Sequence, residues 1–250
     1  MGVMLSGKIG ILLPYYGFSC FLLITILYCT FIEKKDFKSL GYSGRVADYF
    51  LGGAIAIFLL VVISSLCCIT NVMSLVGISE GIDIIYFIGL WIGFIIQSAA
   101  EETMSRGFLL QALLKRTSMP TAIFISSTAF ALPHFPTLFA GEIIYAVIGI
   151  INLYLISIIF SLLVLLRSNI WIACGLHSTW NFILYGIMGL TLSGNEINSD
   201  GMMKFEANSA NILNGGTYGI EASIITTAIL CIAVIILVKR WQDRRCKHGI

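Results

Sequence analysis

Seven stretches of this chain are apolar enough, or nearly so, to cross a lipid bilayer, and that constrains the fold more than any other feature. They run from Ile9 to Ile32, Tyr49 to Thr70, Ile82 to Arg116, Thr121 to His134, Ile143 to Leu166, Ile170 to Leu190 and Ser223 to Val238. A spanning helix needs roughly 20 such residues, and inside hydrocarbon every backbone donor must find its partner within the protein. The expected fold is therefore all-α, a polytopic membrane helical bundle of about seven transmembrane helices. With 58% hydrophobic and 11% charged residues, the chain has too much apolar surface for a water-soluble domain to hide. A single integral membrane domain over 1–250 is expected, with no internal repeat, and its core helices at 82–190.

Two of the seven stretches are unusual. The third, about 35 residues at 1.5 Å each, makes roughly 50 Å of helix, more than a ~30 Å hydrocarbon core requires, so its last turns should project beyond it. The fourth is short and broken by Pro133 and Pro136. Proline removes a backbone donor, which is tolerated at membrane depth only beside protein or a water-filled cavity, so His134 is expected to border such a cavity. The first stretch is too long for a signal peptide's apolar region and lacks a small-residue cleavage pattern, so it reads as a retained helix.

The charges alternate from loop to loop. Lys34, Lys35, Lys38, Arg45, Lys115, Arg116, Arg167, Lys239, Arg240, Arg244, Arg245 and Lys247 follow alternate stretches, while the other loops carry Glu80, Asp83, Glu142, Glu196, Asp200, Glu206 and Glu221 with Lys204 as their only base. The positive-inside bias then predicts a multi-pass protein of the cell membrane with its N-terminus outside and its C-terminus cytoplasmic. The external loop from Thr191 to Ile220 shows no clear period. Six of the seven cysteines lie in apolar runs and read as packing residues, with no CxxC spacing for metal or redox work.

Against this apolar background a few polar residues stand out. Glu102 and Arg106, at i and i+4, form a same-face ion pair that neutralises a guanidinium lipid would otherwise penalise. Glu101 points about 100° away, with Ser98 and Ser105 on its face as hydrogen-bonding neighbours. A carboxylate taken out of water becomes a better base near neutral pH. His134 lies about as far after the turn at Thr117 to Pro120 as Glu101 lies before it, so a helical hairpin brings both to similar depth. His177 and Asn181, again i and i+4, share one helical face. Phe130 stands one turn before His134.

Three motifs in this order, Glu-Glu-x-x-x-Arg at Glu101 to Arg106, Phe-x-x-x-His at Phe130 to His134 and His-x-x-x-Asn at His177 to Asn181, resemble those of the CPBP family of intramembrane proteases. That family includes type II CAAX prenyl endopeptidases and bacteriocin-processing enzymes. The resemblance runs from about Ile82 to Leu190 and implies that 82–190 are catalytic core helices. It also implies an intramembrane endopeptidase in which Glu101 and His134 activate a water and His177 and Asn181 donate to the oxyanion. Glu102 and Arg106 would hold the site together, and Phe130 would shape its wall. The implied partners are a membrane-associated peptide or protein substrate and the bilayer itself, with no nucleic acid.

Other readings compete. Glu101, His134 and His177 would also make a two-histidine, one-carboxylate zinc set, the metalloprotease alternative, although nothing resembles His-Glu-x-x-His. Cys174, three residues before His177, admits a thiol nucleophile, but no sequence neighbour would lower its pKa. From a different class, a catalytically silent scaffold or peptide-immunity protein would use the same polar pocket for binding.

Overall fold

The computed structural model describes residues 2–194 and 201–248, so Glu196 and Asp200 of the acidic loops lie outside the described residues. The architecture is an all-α bundle. Helix α1 (Gly2–Leu27) runs on into a π-turn at Tyr28–Ile32, and α2 covers Ala47–Ile69. Helix α3 (Ile84–Glu102) continues through a wider π-helical stretch at Thr103–Leu110 into the short α4 (Gln111–Leu114). Next come α5 (Met119–Ala131), a 3-10 turn at Leu132–His134, α6 (Phe135–Leu138) and α7 (Ile143–Arg167). Helix α8 (Trp171–Asn181) passes into a π-helical stretch at Phe182–Ile187, and α9 spans Ile224–His248.

Five of these helices are long and apolar enough to cross a membrane: Gly10–Ile32, Ala47–Ile69, Ile84–Leu114, Ile143–Arg167 and Ile224–Lys247. The two remaining stretches expected to span are short helices of 13 and 11 residues, α5 and α8. The prolines explain the first, since the ladder of α5 ends at Ala131 and Pro133 forces the 3-10 turn. Helix α9 runs past the expected end at Val238 because its Lys, Arg and Gln are good helix formers even where hydropathy has fallen. A short antiparallel pair, β1 (Met73–Ile78) with β2 (Met203–Ala207), appears where the sequence shows only loops.

Contacts sort the chain into two ends. At one, Asp48 accepts from Arg167 and Asn169, Trp241 meets Met119, and Arg244 donates to the Leu166 carbonyl. These bonds gather the start of α2, the end of α7, the start of α5 and the tail of α9, and with them most of the lysines and arginines. At the other end Lys8 bridges Asp83 at 2.7 Å and the β-pair packs, through β1, against α2. Asp83 also caps α3 by accepting from the Tyr86 N–H, at 3.0 Å.

Helices α2 and α8 make the closest approach in the bundle. A Cβ on Gly52 would lie 2.0 Å from the Ile172 carbonyl oxygen, and one on Gly175 would lie 1.9 Å from that of Tyr49. Backbone therefore rests on backbone, as small residues allow in membrane helix packing. This contact fixes how deep α8 sits, and α8 carries His177 and Asn181.

Candidate active site

The centre of the bundle holds a charged knot. Arg106 and Glu102 are both fully buried, and the guanidinium donates to Glu102 Oε1 at 3.1 Å. Taking two ions out of water costs several kcal/mol each, so further partners are needed. Arg106 also donates to Ser157 Oγ at 2.6 Å and to the Ser157 carbonyl at 3.3 Å, both on α7. Its plane lies over the rings of Phe130, 4.4 Å away, and Phe160, 5.0 Å away, in cation–π contact. One arginine thus ties together α3, α5 and α7. Through Glu102 the knot reaches α8 as well, because His177 Nδ1 lies 2.9 Å from the same Oε1.

Glu101 stands beside this knot. Its Oε1 accepts from Gln97 Nε2 at 3.1 Å, whereas its buried Oε2 has no hydrogen-bond partner among the described residues. His177 Nε2 lies 3.8 Å from that oxygen. Neither expected serine reaches the carboxylate: Ser98 donates to the Ile95 carbonyl and Ser105 Oγ is unpartnered. The cause lies one residue after Glu102, where α3 widens to π geometry and Thr103 turns its hydroxyl back to the Ala99 carbonyl. That widening moves later residues out of simple i+4 register with Glu101. Gln97, one α-turn earlier, takes the place instead, and its Oε1 receives a long 3.5 Å contact from Asn181 Nδ2.

His134 sits in the 3-10 turn after α5. Its Nδ1 is 3.2 Å from the Phe130 carbonyl. A carbonyl can only accept, so Nδ1 carries the proton and Nε2 of the neutral ring keeps its lone pair. Phe130 packs against both imidazoles, with centroids 5.4 Å from His134 and 5.7 Å from His177. His134, His177 and Asn181 line one cavity of about 50 Å³, together with Gln97, Phe130 and Phe160. That is room for a few waters, which need about 10–15 Å³ each on this measure. Its polar walls are what a water would require.

The zinc alternative does not fit this arrangement. Among the described residues no group of three His, Cys, Asp and Glu side chains gathers at ligand spacing. Glu101 and His177 face each other as a pair, while His134 packs on Phe130 from its own turn rather than joining them as a third ligand. Cys174 is buried and lies outside the cavity lining.

Residues 83–183 match the family model described as Type II CAAX prenyl endopeptidase Rce1-like. Over this segment the chain is similar to that family. The Rce1-like segment starts at the cap of α3 and ends just past Asn181, so it encloses all three motifs and leaves α1, α2 and α9 outside. With five helices long and apolar enough to cross a membrane, the chain is a multi-pass membrane protein, and over this segment it is similar to the CAAX-type intramembrane endopeptidases. No curated protein matches the chain.

Several residues that build the candidate site escape a reading of the motifs. Gln97 carries a usable signal, since it is four residues before Glu101 in an apolar helix. Ser157, Trp180, Tyr218 and Glu221 carry none. Ser157 is one small residue among many on α7, and Tyr218 and Glu221 come from an aperiodic, glycine-rich stretch far from the motifs in sequence.

Proposed function

We propose that the protein hydrolyses a peptide bond in a membrane-associated peptide or protein, near its membrane anchor, through a water activated by Glu101 and His134. The observation that carries this reading is the bare Oε2 of Glu101, a buried carboxylate oxygen without a donor among the described residues, 3.8 Å from His177 Nε2, which lines a cavity with His134 and Asn181 while Glu101 itself stands behind that lining. A carboxylate oxygen without a hydrogen-bond donor keeps its lone pairs free for the proton of a bound water. The water oxygen attacks the scissile carbonyl carbon, its proton passes to Glu101, and the His134 Nε2 lone pair holds the second hydrogen in place. The Asn181 amide donates to the oxyanion as it forms. The proton on Glu101 then moves to the departing amine, and the C–N bond breaks.

His177 requires one refinement. Its Nδ1 proton is committed to Glu102, so Nε2 donates to an oxyanion only when the ring is an imidazolium. Two carboxylates, Glu101 and Glu102, flank the ring. Glu102 and Arg106 act by position, holding four helices around the cavity.

The core helices 82–190 hold the chemistry within a single membrane domain over 1–250, and the basic end of the bundle faces the cytoplasm, which leaves the N-terminus outside. In this orientation the short α5 and α8 complete the path across the membrane inside a wall of longer helices. The substrate is a prenylated CAAX-type chain or a peptide precursor. The deciding experiment is peptide release from membranes containing the wild-type protein or its Glu101→Gln variant. Equal release by the two would remove the proposed chemistry and leave a binding scaffold as the better account.

A further inference from the structure

The cavity wall includes a turn that the chemistry above does not use. Residues 215–222 form two short 3-10 turns whose glycines, Gly215, Gly216 and Gly219, adopt positive φ, which lets the chain fold tightly over the site. This turn places two polar side chains in the lining, Tyr218 and Glu221. Their states differ.

Glu221 is saturated. Trp180 Nε1 donates to its Oε1 at 3.0 Å and the Ser193 N–H to its Oε2 at 2.6 Å, while the Asn152 amide donates to its backbone carbonyl at 2.8 Å. The carboxylate so occupied staples α8 to the loop at Ser193, and the backbone carbonyl of the same residue adds α7. Tyr218 is the opposite case. It is 5% exposed, yet its hydroxyl has no hydrogen-bond partner among the described residues, with the hydroxyl-bearing side chains of Thr137 and Ser193 as polar neighbours. A buried hydroxyl without a partner is costly, and such groups in a folded protein call for an explanation. Burial, reinforced by the Glu221 carboxylate, pushes the phenol pKa up, so the group stays a neutral donor.

We propose that Tyr218 is a substrate-binding residue whose hydroxyl donates a hydrogen bond to an oxygen of the peptide held in the cavity, either a backbone carbonyl or the terminal carboxylate. The proposal rests on the protease reading. The same turn also borders a hollow of about 390 Å³, together with Gly189 to Thr191 and Phe205.

The test is Tyr218→Phe in the purified full-length protein, with a fluorogenic prenylated CAAX-type peptide as probe. The ring and its packing stay, and only the hydroxyl goes. The expected result is a kcat/KM lower by roughly 3- to 10-fold, the size of one neutral hydrogen bond, carried by KM, with a melting midpoint unchanged or raised. Dissociation constants for the same peptide, measured on the Glu101→Gln background with and without Tyr218→Phe, should differ by a similar factor. A probe ending in a carboxamide separates the two acceptors: a retained factor means a backbone carbonyl, and a vanished one means the terminal carboxylate. Equal dissociation constants, or a lowered melting midpoint showing that the hydroxyl already had a structural partner, would overturn the proposal. Should wild type and Glu101→Gln cleave alike, the protease reading fails by itself, and the binding comparison still decides the role of Tyr218.

Discussion

The imidazole of His177 is anchored by Glu102, its Nδ1 standing 2.9 Å from the Oε1 that also receives Arg106. One oxygen therefore orients a ring on α8 and neutralises a cation on α3. Glu102→Ala is expected to remove both, leaving Arg106 buried and unpaired and the ring free to rotate. Immunoblots of membrane fractions should show less protein, and activity per molecule should fall as well. Normal yield together with normal turnover would mean that the knot is dispensable.

Glu101→Gln should leave the amount of protein in the membrane unchanged while lowering peptide release by about 100-fold or more, the usual worth of a general base. The substitution keeps shape and the Gln97 contact but removes the proton acceptor. Release normalised to immunoblot signal is the measurement.

Arg106→Ala should act on stability before chemistry. It strands the Glu102 charge in the bundle core, a loss of roughly 3–5 kcal/mol for a broken buried pair. The double variant Glu102→Ala with Arg106→Ala should recover part of that loss, because no ion remains unpaired. Melting of the detergent-purified proteins would show it, and a double variant worse than the sum of the singles would contradict the ion-pair account.

Asn181→Ala should retain weak activity. Losing one oxyanion donor typically costs 10²–10³ in kcat, and the rest of the machinery would remain. Complete inactivity with normal folding would point to a role beyond donation.

Activity should survive exhaustive chelation, since Glu101, His134 and His177 do not assemble as a three-ligand set. Purified protein treated with a strong chelator, assayed, and assayed again after zinc add-back is the comparison. Loss on removal with recovery on return, accompanied by stoichiometric bound zinc, would recast those side chains as ligands.

The orientation is open to labelling. An impermeant thiol reagent should modify a Ser209→Cys variant, at an exposed position of the loop around Gly201, in intact cells and reach Cys246, exposed near the end of α9, only after permeabilisation. Labelling of Cys246 from outside would invert the proposed topology.

Sequence exposes the parts of this fold that depend on local pattern. Five long helices follow from apolar runs, and the Glu102 to Arg106 spacing states their pairing directly, because i and i+4 are neighbours on any helix. What resists sequence reading is whatever depends on distant partners or on irregular backbone. Met73 and Ala207 pair across a gap that no periodicity marks, so β1 and β2 stay hidden. The π-widening after Glu102 replaces Ser105 with Gln97 beside Glu101, and ideal helical geometry cannot anticipate that exchange. Pro133 signals that the fourth stretch breaks but not that the following residue's Nδ1 proton is fixed by its own chain, at the Phe130 carbonyl.

The close seating of α8 on α2 has a bearing on how variants of this protein should be interpreted. Helix α2 supplies no reacting group and lies outside the matched family segment, so by residue type it looks replaceable with any greasy span. Yet a single added methyl at Gly52 would collide with the Ile172 carbonyl and drive α8 outward, and one at Gly175, two residues before His177, would do so from the facing side. Glycine-to-alanine changes, normally among the mildest in a helix, would here disable the protein without touching a polar atom. Loss-of-function alleles should therefore cluster on a chemically silent helix, where a survey guided by motifs would score them as neutral.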